Sequence, residues 1–212
     1  MLLGARFVIL PAMHTIDILG KLFGGPHRVK LLRLFLFNPE TIFDRNTIAS
    51  RAKIPAERLT KEINTLVAAG VIKERAIPVK QKNGSRAKFG FELTQGFPLA
   101  SQIKNLLNAD FIRRKHELVR RFKNCGKIKL LIVSGIFVEN TDSRVDLVIV
   151  GETLKRNVIE NIIRGIEAEV GRELVYSIME TDDFKYRANS SDKFIRDIFD
   201  YPHERIIDKM PF

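Results

Sequence analysis

The chain has one cysteine, no tryptophan, three tyrosines and four histidines in 212 residues, and each scarcity closes off some chemistry. A lone Cys125 allows neither an intrachain disulfide nor a thiolate metal cluster, and it suits a reducing compartment. With no partner near it in sequence, it reads as a small packed apolar residue. His14, His27, His116 and His203 are scattered, none at helical spacing from another candidate ligand, so no metal site is expected. No apolar run approaches the roughly 18 to 20 residues of a membrane helix, so no membrane partner is expected. Residues 2–12 are apolar, but they lack a preceding basic segment and a following small-residue cleavage pattern. The expectation is a cytoplasmic protein that is not exported. There is no internal repeat and no phosphate-binding glycine loop, Gly24-Gly25 reading as a helix break.

What the chain has in excess is positive charge, unevenly placed. Residues 1–125 carry 23 Lys+Arg against 9 Asp+Glu, a net +14, while residues 126–212 carry 13 against 16, a net −3, which together give +11. A basic module joined to a mildly acidic one points to a polyanion partner for the first and a different task for the second.

The first module reads as short helices. Leu22 and Phe23 end an apolar segment, Gly24-Gly25-Pro26 breaks it, and Pro26 suits the first turn of a new helix. Val29, Leu32 and Leu36, widened by Leu31 and Phe35, form its stripe until Asn38-Pro39. A second helix is expected over 44–52, with Ile48 and Ala49 inward, and a third over 56–69, with Leu59, Ile63, Leu66 and Val67 inward and Gly70 closing it. Residues 71–79 and 87–93 read as strands joined through Lys82-Asn83-Gly84-Ser85, a hairpin signal.

Helices with a tight turn before the third, followed by a hairpin, describe a winged helix-turn-helix. The outer face of the third helix carries Glu57, Arg58, Lys61, Asn64 and Thr65, and the wing carries Lys80, Lys82, Arg86 and Lys88. Arg58, Lys61, Asn64 and Thr65 are candidates for base-edge and phosphate contacts in a major groove, and the wing cations for phosphate or minor-groove contacts. Duplex DNA is expected over RNA, because no aromatic platform for unstacked bases is visible. The bland alternatives are a solvated helix face, or a protein-interaction module.

Residues 101–124 read as one long helix with Ile103, Leu106, Leu107, Phe111, Leu118 and Phe122 as its apolar positions. Strands are expected at 128–133, 144–151 and 173–179, a helix at 153–168, short helices from Thr181 and over 192–199, and a short final strand at 205–207. The overall expectation is an α+β protein. It has an extension (1–15), a winged-helix domain (16–100) and a linker helix leading into an α/β domain (101–212).

Ser134-Gly135-Ile136-Phe137, followed by Asp142-Ser143-Arg144-Val145-Asp146-Leu147-Val148-Ile149-Val150-Gly151, resembles the signature of the minimal nucleotidyltransferase fold. Gly171-Arg172-Glu173-Leu174-Val175-Tyr176, Asp183-Phe184-Lys185-Tyr186-Arg187 and Phe194-Ile195-Arg196-Asp197-Ile198 are similar to the version of that domain fused behind a winged helix in bacterial and archaeal regulator-like proteins. Arg28-Val29-Lys30-Leu31-Leu32 and Phe97-Pro98-Leu99 extend the likeness into the first half, so that it covers nearly all the chain after Met13.

The resemblance implies a strand ending in Gly-Ser and two carboxylates at i and i+2 on the next strand, holding magnesium and a nucleoside triphosphate. Here Gly135 is followed by Ile136, the loop is short, and Arg144 stands where the first acid belongs, leaving Asp146 alone. A guanidinium is not a metal ligand. Only Glu173 and Glu180 flank the third strand as further acids. The site Gly135, Arg144, Asp146 is therefore expected to be degenerate, without catalysis or cofactor. Arg144 would pair with Asp146 or bind nucleotide phosphates without metal, or the domain would serve only in dimerisation or partner binding. The expectation is a homodimeric DNA-binding transcriptional regulator with a possible nucleotide or protein partner at its second domain. The alternative is an active nucleotidyl- or adenylyltransferase, for instance of a toxin-antitoxin pair.

Overall fold

A computed structural model describes residues 17–77, 88–113, 115–140 and 142–210. Within them the chain is mixed α+β. No described helix is long and apolar enough to cross a membrane.

Four helices come first: α1 (Ile18–Phe23), α2 (Pro26–Leu36), α3 (Arg45–Ala52) and α4 (Ala56–Ala68). Sequence punctuation sets their ends. Pro26 opens α2, and the Asp44 carboxylate accepts the Thr47 amide at 2.7 Å to cap α3. Strands β1 (Ile72–Ile77) and β2 (Lys88–Leu93) pair antiparallel from Ile72 opposite Leu93 to Ile77 opposite Lys88. Phe43, ahead of α3, exchanges backbone hydrogen bonds with Phe91 of β2, tying the hairpin back to the helices. Leu31, Phe35, Ile48, Ile63, Leu66, Ile72 and Phe91 build the shared core. Val67, expected inward, is 40% exposed, because the stripe of α4 narrows to Leu59, Ile63 and Leu66.

The long helix expected over 101–124 is broken. Helix α5 (Ala100–Arg113) is followed by a 3-10 turn (Lys115–Glu117) and the single turn α6 (Leu118–Arg121). The break serves two cores. Leu107 packs into the first, while Phe111, Leu118 and Phe122 pack into the second.

The second core surrounds a four-stranded sheet of β3 (Lys127–Ser134), β4 (Leu147–Glu152), β5 (Tyr176–Glu180) and β6 (His203–Asp208). Its order is β5-β4-β3-β6. Helix α7 (Arg156–Val170) connects the parallel pair β4 and β5, and the other neighbours are antiparallel. The near-continuous apolar run of β3 is explained by burial on both faces. Leu131 and Val133 meet Ile159, Ile163 and Ile166 of α7, whereas Leu130 and Ile132 share a cluster with Phe184 of α8 (Thr181–Asn189) and Ile195 and Ile198 of α9 (Lys193–Asp200).

Helix α7 also packs on α2 and α3, so it belongs to both halves of the molecule. At that junction Arg33, 2% exposed, donates to Glu169 O at 2.8 Å and Leu107 O at 3.0 Å and lies 3.3 Å from Asp110 Oδ2. Asn38 Nδ2 donates to Gly171 O at 2.7 Å. Gly171 has a positive φ of 84°, and an added Cβ would collide with the Arg33 backbone, so both its conformation and the close approach require glycine.

Candidate functional site

Helix α4 presents Glu57, Arg58, Lys61 and Asn64 to solvent and buries Leu59, Ile63 and Leu66. Its 3.6-residue period keeps the cations and Asn64 on the side away from the core. Two details sharpen that face. Glu62 is taken by Arg28, Nε to Oε2 at 2.9 Å, which removes one negative charge from competition with Arg58 and Lys61. Thr65 is half-buried and its hydroxyl donates back to Lys61 O at 2.9 Å, so this candidate is turned onto its own helix.

On the hairpin, Lys88 is exposed at the start of β2, beside the α3 cap, where its charge helps hold the Asp44 carboxyl below its ordinary range, after the larger effect of the Thr47 hydrogen bonds. Lys80, Lys82, Arg86 and the Asn83-Gly84 turn lie outside the described residues, as does the 1–15 extension. Lys73 and Arg75 of β1 share Glu92 of β2, at 3.3 and 3.5 Å.

The second candidate site departs from the pattern expected of it. Strand β4 begins at Leu147, so Arg144 and Asp146 both precede it and the alternation of a strand does not hold them on one side. Arg144 does not pair with Asp146. Its Nε meets Asp197 Oδ2 on α9 at 2.6 Å, with the guanidinium half exposed. Asp146 turns the other way: Oδ1 accepts the Ile136 amide at 3.0 Å and Oδ2 the Val175 amide at 2.9 Å. Gly135, at φ +56°, lies so close that an added Cβ would collide with Asp146 Oδ1. Ser134, just before it, gives its hydroxyl to Val145 O.

The cation beside Asp146 is Arg172. Burial pulls its guanidinium down from the ordinary arginine range, and the Asp146 charge opposes that. Sequence reasoning missed both Arg172 and Asp197 as partners, because each is brought in by the sheet from far along the chain. The donor set does not fit a divalent metal, since both Asp146 oxygens already serve backbone amides and a guanidinium stands at 144. Glu173, the nearest flanking acid, is exposed and reaches toward Arg51 at 3.7 Å. The Asn140 side-chain oxygen accepts from the Asp142 and Ser143 amides, so the intervening loop is organised around Asn140.

No family model, curated protein or solved structure matches the chain.

Proposed function

We propose that the protein is a cytoplasmic DNA-binding transcriptional regulator, a winged helix-turn-helix joined to a nucleotidyltransferase-like domain that has lost catalysis and acts as a sensor and dimerisation module. The observation that carries the reading is α4, which offers Arg58, Lys61 and Asn64 on an acid-depleted outer face in the strongly basic half of the chain. Arg and Asn suit bidentate contacts to guanine and adenine, and Lys suits phosphate. The committed lone pairs of Asp146 support the loss of catalysis. Leu99 and Leu106, two helical turns apart and 54% and 46% exposed at α5, support dimerisation through that helix.

The test is fluorescence anisotropy on labelled duplex DNA across a salt series. Affinity should fall steeply with salt, and Arg58→Ala/Lys61→Ala should weaken binding at least 10-fold and flatten the log-log salt slope by roughly 2. Salt-insensitive binding, or binding unchanged by the double substitution, would refute the assignment of α4.

A further inference from the structure

Between the two domains, α2 and the end of α3 face α7 across an open cleft of about 160 Å³. Ser50, Arg51 and Lys53 line it from α3 and its C-terminal turn, and Arg164 and Glu167 from α7. The cleft brings together cations from segments that are remote in sequence, and the nearby carboxylates are already engaged. Glu167 Oε1 accepts the Leu174 amide at 3.0 Å, and Glu169 pairs with Arg121 at 2.6 Å. Glu173 is 81% exposed and sits 3.7 Å from Arg51, a loose contact.

Among the described residues Lys53 and Arg164 have no carboxylate within ion-pair distance, Arg164 donating instead to Asn161 Oδ1 at 2.6 Å. The Lys53 ammonium reaches over α7, 3.9 Å from where a Cβ on Gly165 would stand. Behind it, Lys30 is half-buried on α2, one turn before Leu34 of the cleft wall. Burial pulls its ammonium pKa down, and although Glu169 opposes this, Lys53 and Arg121 add to the fall. Gathering like charges in a partly desolvated junction is unfavourable until an anion neutralises them.

We propose that this cleft binds a small phosphorylated anion, with Lys53 and Arg164 on the phosphate oxygens, the Ser50 hydroxyl as a neutral donor and Lys30 supplying charge from behind. The space is comparable to an apolar cavity that accepts one benzene-sized molecule, so a diphosphate or the diphosphate end of a nucleotide fits, and a duplex does not. Guanidinium and ammonium donors converging on one point are the usual means of holding such a group. Lys53 also sits in the turn leading into α4, so the anion would fix that turn against α7. This deepens the sensor role given to the second domain and places its ligand away from the degenerate Asp146 site.

Calorimetric titration of the full chain with inorganic pyrophosphate, ATP and adenosine tests the proposal without DNA. Pyrophosphate and ATP should bind saturably and adenosine should not. Lys53→Asn, which keeps a residue tolerant of the positive φ of 50° there, together with Arg164→Gln, should weaken binding at least 10-fold. Lys30→Met should weaken it while leaving the thermal midpoint equal or higher, a combination that loss of folding does not produce. Arg58→Ala/Lys61→Ala should leave pyrophosphate binding unchanged, so failure here and failure of the DNA reading are separable. Absence of saturable binding by pyrophosphate and ATP, or affinities unmoved by the cleft substitutions, would overturn the proposal.

Discussion

At the scale of single residues, Asp146 ties the loop after β3 to the segment ahead of β5 by accepting amides from Ile136 and Val175. A carboxylate used this way is retained for folding whether or not chemistry remains. Asp146→Ala should therefore cost about 1 to 2 kcal/mol in denaturant unfolding, toward the low end for two lost hydrogen bonds because Val175 is exposed, with DNA affinity unchanged. Asp146→Asn should fall between, since one side of an amide repels a backbone N–H. Transfer of labelled nucleotide by the wild type, abolished by Asp146→Ala, would contradict the loss of catalysis. The anomaly of an arginine at 144 was legible in the sequence, but its partner was not. Strand alternation predicted a neighbour two residues away, whereas β4 starts three residues later and leaves Arg144 free to meet Asp197 on α9.

At the scale of elements, the helices of the first module were readable because their ends are written in local chemistry: a proline at the first turn of α2, an aspartate cap on α3, an unbroken apolar stripe on α4. The Asp44 cap can be tested directly. Its carboxyl is held below the ordinary range chiefly by the Thr47 backbone hydrogen bond, so its folded pKa is lower than its unfolded one. The stabilisation is then fully present above the unfolded value and is lost as pH falls through the folded value. Asp44→Ala should cost about 1 kcal/mol at neutral pH, with the difference from wild type shrinking in strong acid, read from thermal midpoints at both pH values. The break between α5 and α6 was not readable. Its apolar residues keep helical spacing throughout, and only the presence of two separate cores, one taking Leu107 and the other Phe111, requires the chain to turn.

At the scale of the whole molecule, α7 makes one structure of two modules, and Arg33 is the buried fastening. It reaches α5 and α7 from α2 with almost no exposure, and removing one partner of such a buried pair is costly. Arg33→Met should lower stability by on the order of 3 kcal/mol and separate a single unfolding transition into two, seen by circular dichroism and by amide exchange in each domain. One unchanged transition would mean that the halves are held together elsewhere.

The sequence by itself determined the charge division, the element order, most element ends and the loss of an acid at 144, because these depend on periodicity, capping and residue chemistry over a few positions. Only the tertiary structure decided which charges meet. Arg144 with Asp197, Arg172 beside Asp146, and Lys30, Lys53 and Arg164 around one cleft are encounters set by how the sheet orders its strands and how α7 packs against α2 and α3. Local propensity carries no information about such long-range contacts. The excess of positive charge is therefore a property of the sequence, while its gathering at the α2–α7 junction is a property of the fold.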